Sequence, residues 1–173
     1  MFKFCKVLLI LILLPISVVA EKFTVEPTEL TFAMNQSRQT VFDYFNKKYD
    51  AQMSSNFWQT TFNNEIPYNR LKNIAFENIK QWKSIQLLAL EYGITDNVLS
   101  FVQLMRKRKE INQQRVLDKS NKKVVFGPVE YSQRTFHRLY MNNLTYALRQ
   151  KLSQLPKSIK NAEIKAYYQQ NRN

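Results

Sequence analysis

Apolar side chains recur at helical spacing between Pro67 and Gly93, and this is the clearest pattern in the chain. Every third or fourth position is apolar while most charged residues fall elsewhere, which predicts an amphipathic helix over residues 67–92. Pro67 suits the first turn of a helix, and Gly93 suits the left-handed residue just past a helix end. The apolar stripe comprises Leu71, Ile74, Ala75, Ile79, Trp82, Ile85, Ala89 and Tyr92.

The same criteria predict helices in four further regions. These are residues 37–51 with Ser37 as the N-cap, a helix that begins at Asp96, residues 132–155 with Ser132 as the N-cap, and residues 159–169. We expect the helices over 67–92 and 132–155 to pack on each other with Trp82 near the centre of the contact, because neither can bury its apolar stripe alone.

The segments between these helices carry weaker signals. Residues 23–25 suggest a short edge strand limited by Pro27, and residues 52–66 suggest a loop with one helical turn. Around residues 123–131, Val124 and Val125 precede Phe126-Gly127-Pro128, which predicts a short extended segment or a hairpin. The fold class is therefore mainly α: a small domain of about five helices with one short extended segment or hairpin.

The first twenty residues have the pattern of a secretory signal peptide. Lys3 and Lys6 precede an apolar run over residues 7–19, and Val18-Val19-Ala20 supplies small residues at the minus-three and minus-one positions of a signal peptidase site. We expect cleavage between Ala20 and Glu21, leaving residues 21–173 as one exported helical domain. The alternative is an uncleaved membrane anchor, although the run is shorter than the roughly 20 residues of a spanning helix.

Composition narrows the classes of function. The chain has 26 basic and 13 acidic residues, a net charge of +13, which favours anionic surroundings such as cell-envelope polymers, lipid headgroups or acidic polypeptides. Its only cysteine, Cys5, lies in the predicted signal peptide, and two glycines cannot build a phosphate-binding loop. His137 is the only histidine, and we interpret it as a helix-surface or partly buried polar residue. We expect no metal, no cofactor and no catalytic residue, and export argues against a nucleic-acid partner.

Two groups of residues are candidates for binding. Phe57, Trp58 and Phe62 lie in a polar stretch outside any amphipathic stripe, so they are candidates for contact with unfolded polypeptide; alternatively, they fill the core from a loop. Four consecutive cations are candidates for contact with an anionic surface, as are the lysines of residues 119–123, although a solvated helix face is the simpler interpretation. The four are Arg106, Lys107, Arg108 and Lys109.

Three stretches of the chain resemble the N-terminal, non-catalytic domain of the SurA and PrsA group of exported chaperones and parvulin-type peptidyl-prolyl isomerases. They are the stretch from Asn78-Ile79-Lys80 to Leu90-Glu91-Tyr92-Gly93-Ile94-Thr95-Asp96, the segment Phe126-Gly127-Pro128-Val129-Glu130-Tyr131-Ser132 with its following helix, and Ile159-Lys160-Asn161-Ala162-Glu163-Ile164-Lys165-Ala166-Tyr167-Tyr168. The resemblance implies a chaperone domain that binds unfolded or extended polypeptides. Active members of that family carry a parvulin domain after the last segment, and here only five residues follow Tyr168, so isomerase catalysis is not implied.

Three hypotheses follow. The first is an exported, non-catalytic polypeptide-binding module related to those foldases. The second is a basic exported structural protein that binds a cell-wall polymer or a membrane surface. The third is a member of the isomerase family that is active only with a partner.

Overall fold

A computed structural model describes residues 24–154, and these residues are mainly helical. Their four α-helices and one 3-10 helix, η1, occur in the order α1 (Pro27–Tyr49), η1 (Phe57–Gln59), α2 (Pro67–Glu91), α3 (Phe101–Ser120) and α4 (Gln133–Ser153). The mainly α fold class is confirmed. The predicted strand residue Phe23, the signal cleavage site and the helix predicted over 159–169 lie outside the described residues.

Helix α1 begins ten residues earlier than the sequence predicted. Pro27 occupies its first turn, where the fixed φ of proline suits a helix and the missing N–H is not needed, so Pro27 starts a helix instead of limiting a strand. Ser37 is consequently not an N-cap: it is buried within α1, and its hydroxyl donates to the carbonyl of Ala33 at 3.0 Å. The same hydroxyl accepts a hydrogen bond from Asn78 at 3.1 Å, which joins α1 to α2.

Helices α1 and α2 enclose an aromatic core that the loop between them completes. Asp50 in the left-handed conformation ends α1, and η1 in the loop is the single helical turn that was predicted. Phe62 and Glu65 form an isolated antiparallel bridge that closes the loop before Pro67. The buried residues of this core are Val41, Phe45, Ala51, Phe57 and Leu71.

Helix α2 has its predicted start and ends at Glu91, one residue before its predicted end, but α3 does not begin at Asp96. Gly93 follows α2 with φ +67°, the left-handed conformation predicted for it. The N-cap of α3 is Ser100, which accepts a hydrogen bond from the backbone N–H of Gln103 while the Gln103 side chain accepts one from the Ser100 N–H. This reciprocal pair satisfies two N–H groups at once and explains why the helix begins at Phe101.

Helix α4 is capped by Ser132 as predicted, and it packs on α2. Ala89 of α2 and Leu144 and Leu148 of α4 form the buried part of this contact. Trp82 is half-buried where α2, α4 and α1 meet, with its ring 4.2 Å from the His137 ring and 6.0 Å from the Phe32 ring. The buried face of α2 is therefore shared between two helices, and Trp82 lies at the junction of all three.

The connection between α3 and α4 contains no hairpin, and no strand occurs anywhere in residues 24–154. Residues 123–131 instead lie along α3 and are held by its side chains. The amide of Asn112 donates to the carbonyl of Tyr131 at 3.0 Å and accepts from the N–H of Tyr131 at 2.8 Å. A side-chain amide thus supplies the two hydrogen bonds that a neighbouring strand would have made.

Candidate functional site

The aromatic residues predicted to bind polypeptide belong to the core. Phe57 is 1% exposed and packs edge-on against Phe42 and Phe45, so the predicted exposed role is wrong for it. Trp58 and Phe62 are half-buried: Arg38 lies over the Trp58 ring at 4.7 Å, and Phe62 packs on Phe45. The alternative interpretation, in which the loop fills the core, describes these three side chains.

The basic run on α3 divides into two kinds of residue. Arg106, Lys107 and Lys109 are exposed, whereas Arg108 is half-buried and donates to the carbonyl of Tyr131 at 2.9 Å. Arg108 therefore positions the connection to α4 as well as adding charge. A groove of about 350 Å³ lies beside these four basic residues and is lined in part by Arg106, Arg108 and Lys109. Its other lining residues are Thr28, Phe101, Val102, Met105 and Gln133.

A larger cleft lies on the other side of Arg108 and Lys109, between α3 and the connection to α4. We call it the α3 cleft; its volume is about 580 Å³ and its lining residues are Arg108, Lys109, Asn112, Gln113, Val116, Leu117 and Glu130. Val116 and Leu117 are exposed, so the cleft presents aliphatic side chains to solvent beside cations and one carboxylate. The sequence pattern did not predict this cleft, although the adjacent apolar residues Val116 and Leu117, in a mostly polar part of the helix, were a usable signal.

Arg115 of α3 holds the connection to α4 in place through hydrogen bonds to backbone carbonyls. Its guanidinium donates to the carbonyls of Phe126 at 2.6 Å, Pro128 at 2.7 Å and Val129 at 3.3 Å. The same group lies 4.6 Å from the centre of the Tyr131 ring, in a cation–π contact. One arginine therefore satisfies carbonyls that lack a strand partner and gives the irregular connection a defined path.

A buried ion pair and a buried imidazole lie at the junction of α1, α2 and α4. Lys83 Nζ is 3.1 Å from Glu29 Oε1, and the two side chains are 7% and 3% exposed. His137 is also buried, more deeply than predicted, and packs against Phe32 and Trp82. Burial and, to a smaller extent, the nearby Lys83 cation together lower the pKa of His137 from 6.5 to about 4. His137 is therefore neutral at pH 7.

These buried polar residues were missed by the sequence analysis, but a signal for them exists. Ala75, Ile79, Lys83, Gln86 and Ala89 recur every three or four residues and are all buried on α2. Lys83 and Gln86 thus occupy positions of the apolar stripe, which indicates that each has a polar partner in the core. The partner of Gln86 is the backbone N–H of Leu99, which donates to its side-chain oxygen at 3.0 Å.

The described residues show no arrangement for holding a metal ion. Across 24–154, no three His, Cys, Asp or Glu side chains lie close enough together to bind one. In the same range, no helix combines the length and the apolar character needed to cross a bilayer. Ala20 and Glu21, the predicted cleavage site, are not among the residues that the structure describes.

Comparisons with protein-family models, with curated proteins and with solved structures found no match for this chain. The resemblance to the SurA and PrsA group accordingly stays a prediction from the three sequence stretches that carry it. The observed chemistry is an aliphatic and cationic cleft on α3, beside a connection that α3 itself holds in place.

Proposed function

We propose that the protein is an exported, non-catalytic module that binds unfolded or extended polypeptide in the α3 cleft. The observation that carries this proposal is the pair Val116 and Leu117, whose aliphatic side chains are exposed on the wall of an open cleft. Such side chains gain free energy when a partner covers them, at about 25 cal/mol per Å² of apolar surface removed from water. An apolar segment of an unfolded chain would provide that cover.

The polar residues of the cleft favour a peptide of particular composition. Arg108 and Lys109 supply two cations against the single carboxylate of Glu130, and the net charge of the chain is +13, so acidic segments are attracted. Gln113 is exposed and can donate to or accept from a peptide backbone, whereas the Asn112 amide is already engaged by Tyr131. We therefore infer a preference for extended segments that combine acidic and aliphatic residues.

This proposal moves the predicted binding surface away from Phe57, Trp58 and Phe62. Phe57 is in the core and the other two are half-buried against it, so they support the fold near the α1–α2 loop. The role in polypeptide binding also agrees with the resemblance to exported chaperone domains. Export itself rests on the signal-peptide pattern that ends at Ala20.

Fluorescence anisotropy with an unfolded, carboxymethylated, fluorescein-labelled polypeptide tests the proposal. The double variant Val116→Ser/Leu117→Ser should weaken binding at least tenfold, because it removes the aliphatic wall of the cleft. Tyr146→Ser is the matched control, since Tyr146 is an exposed apolar residue on α4 outside the cleft. Equal affinity of the double variant and the control for the polypeptide would exclude the cleft as the binding site.

A second candidate function is binding of an anionic cell-envelope polymer, and the exposed cations Arg106 and Lys107 favour it. The variant Arg106→Gln/Lys107→Gln removes two charges outside the α3 cleft. Polymer binding should fall with this variant and with rising salt, whereas binding of an apolar segment should persist when the salt concentration is raised. Acceleration of a proline-limited refolding reaction by the protein would contradict the non-catalytic assignment and favour the isomerase hypothesis.

A further inference from the structure

The connection between α3 and α4 carries two protruding apolar side chains within one short segment. We call residues 122–126 the tip; within it, Val124 is 78% exposed and Phe126 is 84% exposed. These are higher exposures than those of Val116 and Leu117, and neither residue lines the α3 cleft. The tip is therefore a separate surface feature that polypeptide binding in the cleft does not use.

The position of the tip is defined by hydrogen bonds at both of its ends. At the start, the N–H of Lys123 donates to the carbonyl of Asp118 at 2.9 Å, which closes the end of α3. At the other end, Arg115 holds the carbonyl of Phe126 at 2.6 Å, and Gly127 follows with φ +77°, a conformation that favours glycine. The backbone is thus anchored to α3 while the side chains of Val124 and Phe126 project outward.

Exposed lysines come shortly before the two apolar side chains in the chain. Lys119 and Lys122 are exposed, and Lys123 is exposed while lying 3.0 Å from Asp118 Oδ1. The tip and the three residues before it, 119–126, contain these three lysines and no acidic residue, so this stretch remains cationic after the pairing with Asp118 is counted. Exposed apolar side chains next to lysines in the sequence match an anionic bilayer surface, which has phosphate groups outside and hydrocarbon beneath.

We propose that the tip docks the protein on an anionic phospholipid bilayer, with Phe126 and Val124 inserted below the headgroups and Lys119, Lys122 and Lys123 at the phosphates. The charges of the two surfaces are complementary. A protein partner needs roughly 800 Å² of surface from each side, and two protruding side chains do not form such an area. Lipid can close around a protruding side chain, so the bilayer is the partner that the geometry fits.

The size of the effect follows from the same residues. Burial of a phenylalanine side chain strengthens partitioning roughly tenfold or more, and each lysine close to an anionic surface contributes roughly fivefold. Binding should therefore require both the apolar and the cationic residues. It should also weaken steeply between 50 mM and 500 mM salt, because the lysines act through screened attraction.

A probe at the tip itself tests the proposal with the full chain, whose predicted signal segment is the same in every variant. In Phe126→Trp, we expect quenching by phosphatidylglycerol vesicles with brominated acyl chains to exceed that of the parent, which contains Trp58 and Trp82. Tyr146→Trp is the matched control, because it places a tryptophan at another exposed aromatic position, and it should show no additional quenching. Vesicles of phosphatidylcholine alone should give no additional quenching in either variant.

Sedimentation with the same vesicles gives the second measurement. Phe126→Ser and Lys119→Gln/Lys122→Gln should each lower the vesicle-bound fraction by an amount that corresponds to at least a tenfold loss of affinity. Tyr146→Ser should leave the vesicle-bound fraction unchanged. Unchanged vesicle binding by Phe126→Ser, or no extra quenching of Phe126→Trp, would overturn the proposal. Loss of polypeptide binding with intact vesicle binding in Phe126→Ser would also overturn it and assign the tip to a protein partner.

Discussion

Glu29 and Lys83 form an ion pair inside the core, and removal of one charge tests how it supports the α1–α2 contact. Lys83→Met keeps an unbranched side chain of similar length but leaves the Glu29 carboxylate buried without its cation. Glu29 Oε2 is buried and has no hydrogen-bond partner within residues 24–154, so nothing else in the described core compensates that charge. Breaking a buried pair in this way costs about 3 to 5 kcal/mol.

For a domain of this size, that loss lowers Tm by roughly 6 to 20 °C, at about 2 to 4 °C per kcal/mol. Urea unfolding followed by far-ultraviolet circular dichroism measures the free energy of unfolding directly. An m-value equal to that of the parent shows that Lys83→Met unfolds from a similar fold. Lys80→Met is the matched control, because Lys80 lies on the same helix and pairs with Glu77 at 2.6 Å in solvent. Its free energy of unfolding should change by less than about 1 kcal/mol.

The double variant Glu29→Met/Lys83→Met separates an ion pair from two independent polar residues. With both charges absent, neither has to be removed from water, so stability should equal that of the parent or exceed it by up to about 4 kcal/mol. The reasoning is refuted if the losses of Glu29→Met and Lys83→Met simply add in the double variant. A loss for Lys83→Met no larger than that for Lys80→Met would refute it as well.

Two further predictions concern the junction of α1, α2 and α4. Trp82→Ala should lower the free energy of unfolding by about 3 kcal/mol, because the indole packs on Phe32 and His137, and a thermal midpoint within a degree of the parent would contradict this placement. The pKa of His137 is about 4 in the fold and 6.5 in the unfolded chain, so the unfolded state takes up the proton first as pH falls. Stability should therefore decline between pH 6.5 and 4 by up to about 3 kcal/mol, and urea titrations of His137→Leu should lack this part of the decline.

The elements that the sequence predicted well are those whose signals are local. Helix α2 has a continuous apolar stripe between Pro67 and Gly93, and α4 has a serine cap, so both helices have the predicted start. The start of α1 was wrong because proline suits both the edge of a strand and the first turn of a helix. The helix is favoured because Phe32 and Ala33 of α1 are buried against other helices. A local stretch of sequence does not show these contacts.

The candidate site was harder to predict because exposure depends on contacts between distant residues. Phe57 and Phe126 both lie in segments without a helical stripe, yet one is in the core and the other protrudes. The difference arises from α1 and α2, which enclose the loop that carries Phe57, and from Arg115, which turns the carbonyl of Phe126 toward α3. Lys83 is a similar case, since its burial requires a carboxylate 54 positions earlier in the chain.

The sparse burial along α3 has a consequence for the order in which the molecule opens. Only Phe101, Leu104 and Asn112 of this helix are buried, and none of its last eight residues is. Amide protons of residues 113–120 should therefore exchange with solvent through local opening, at a free energy well below that of global unfolding. Val116 and Leu117 of this stretch line the cleft, and Arg115 anchors the tip, so a ligand at either site would slow exchange there without altering the protected amides of α1 and α2.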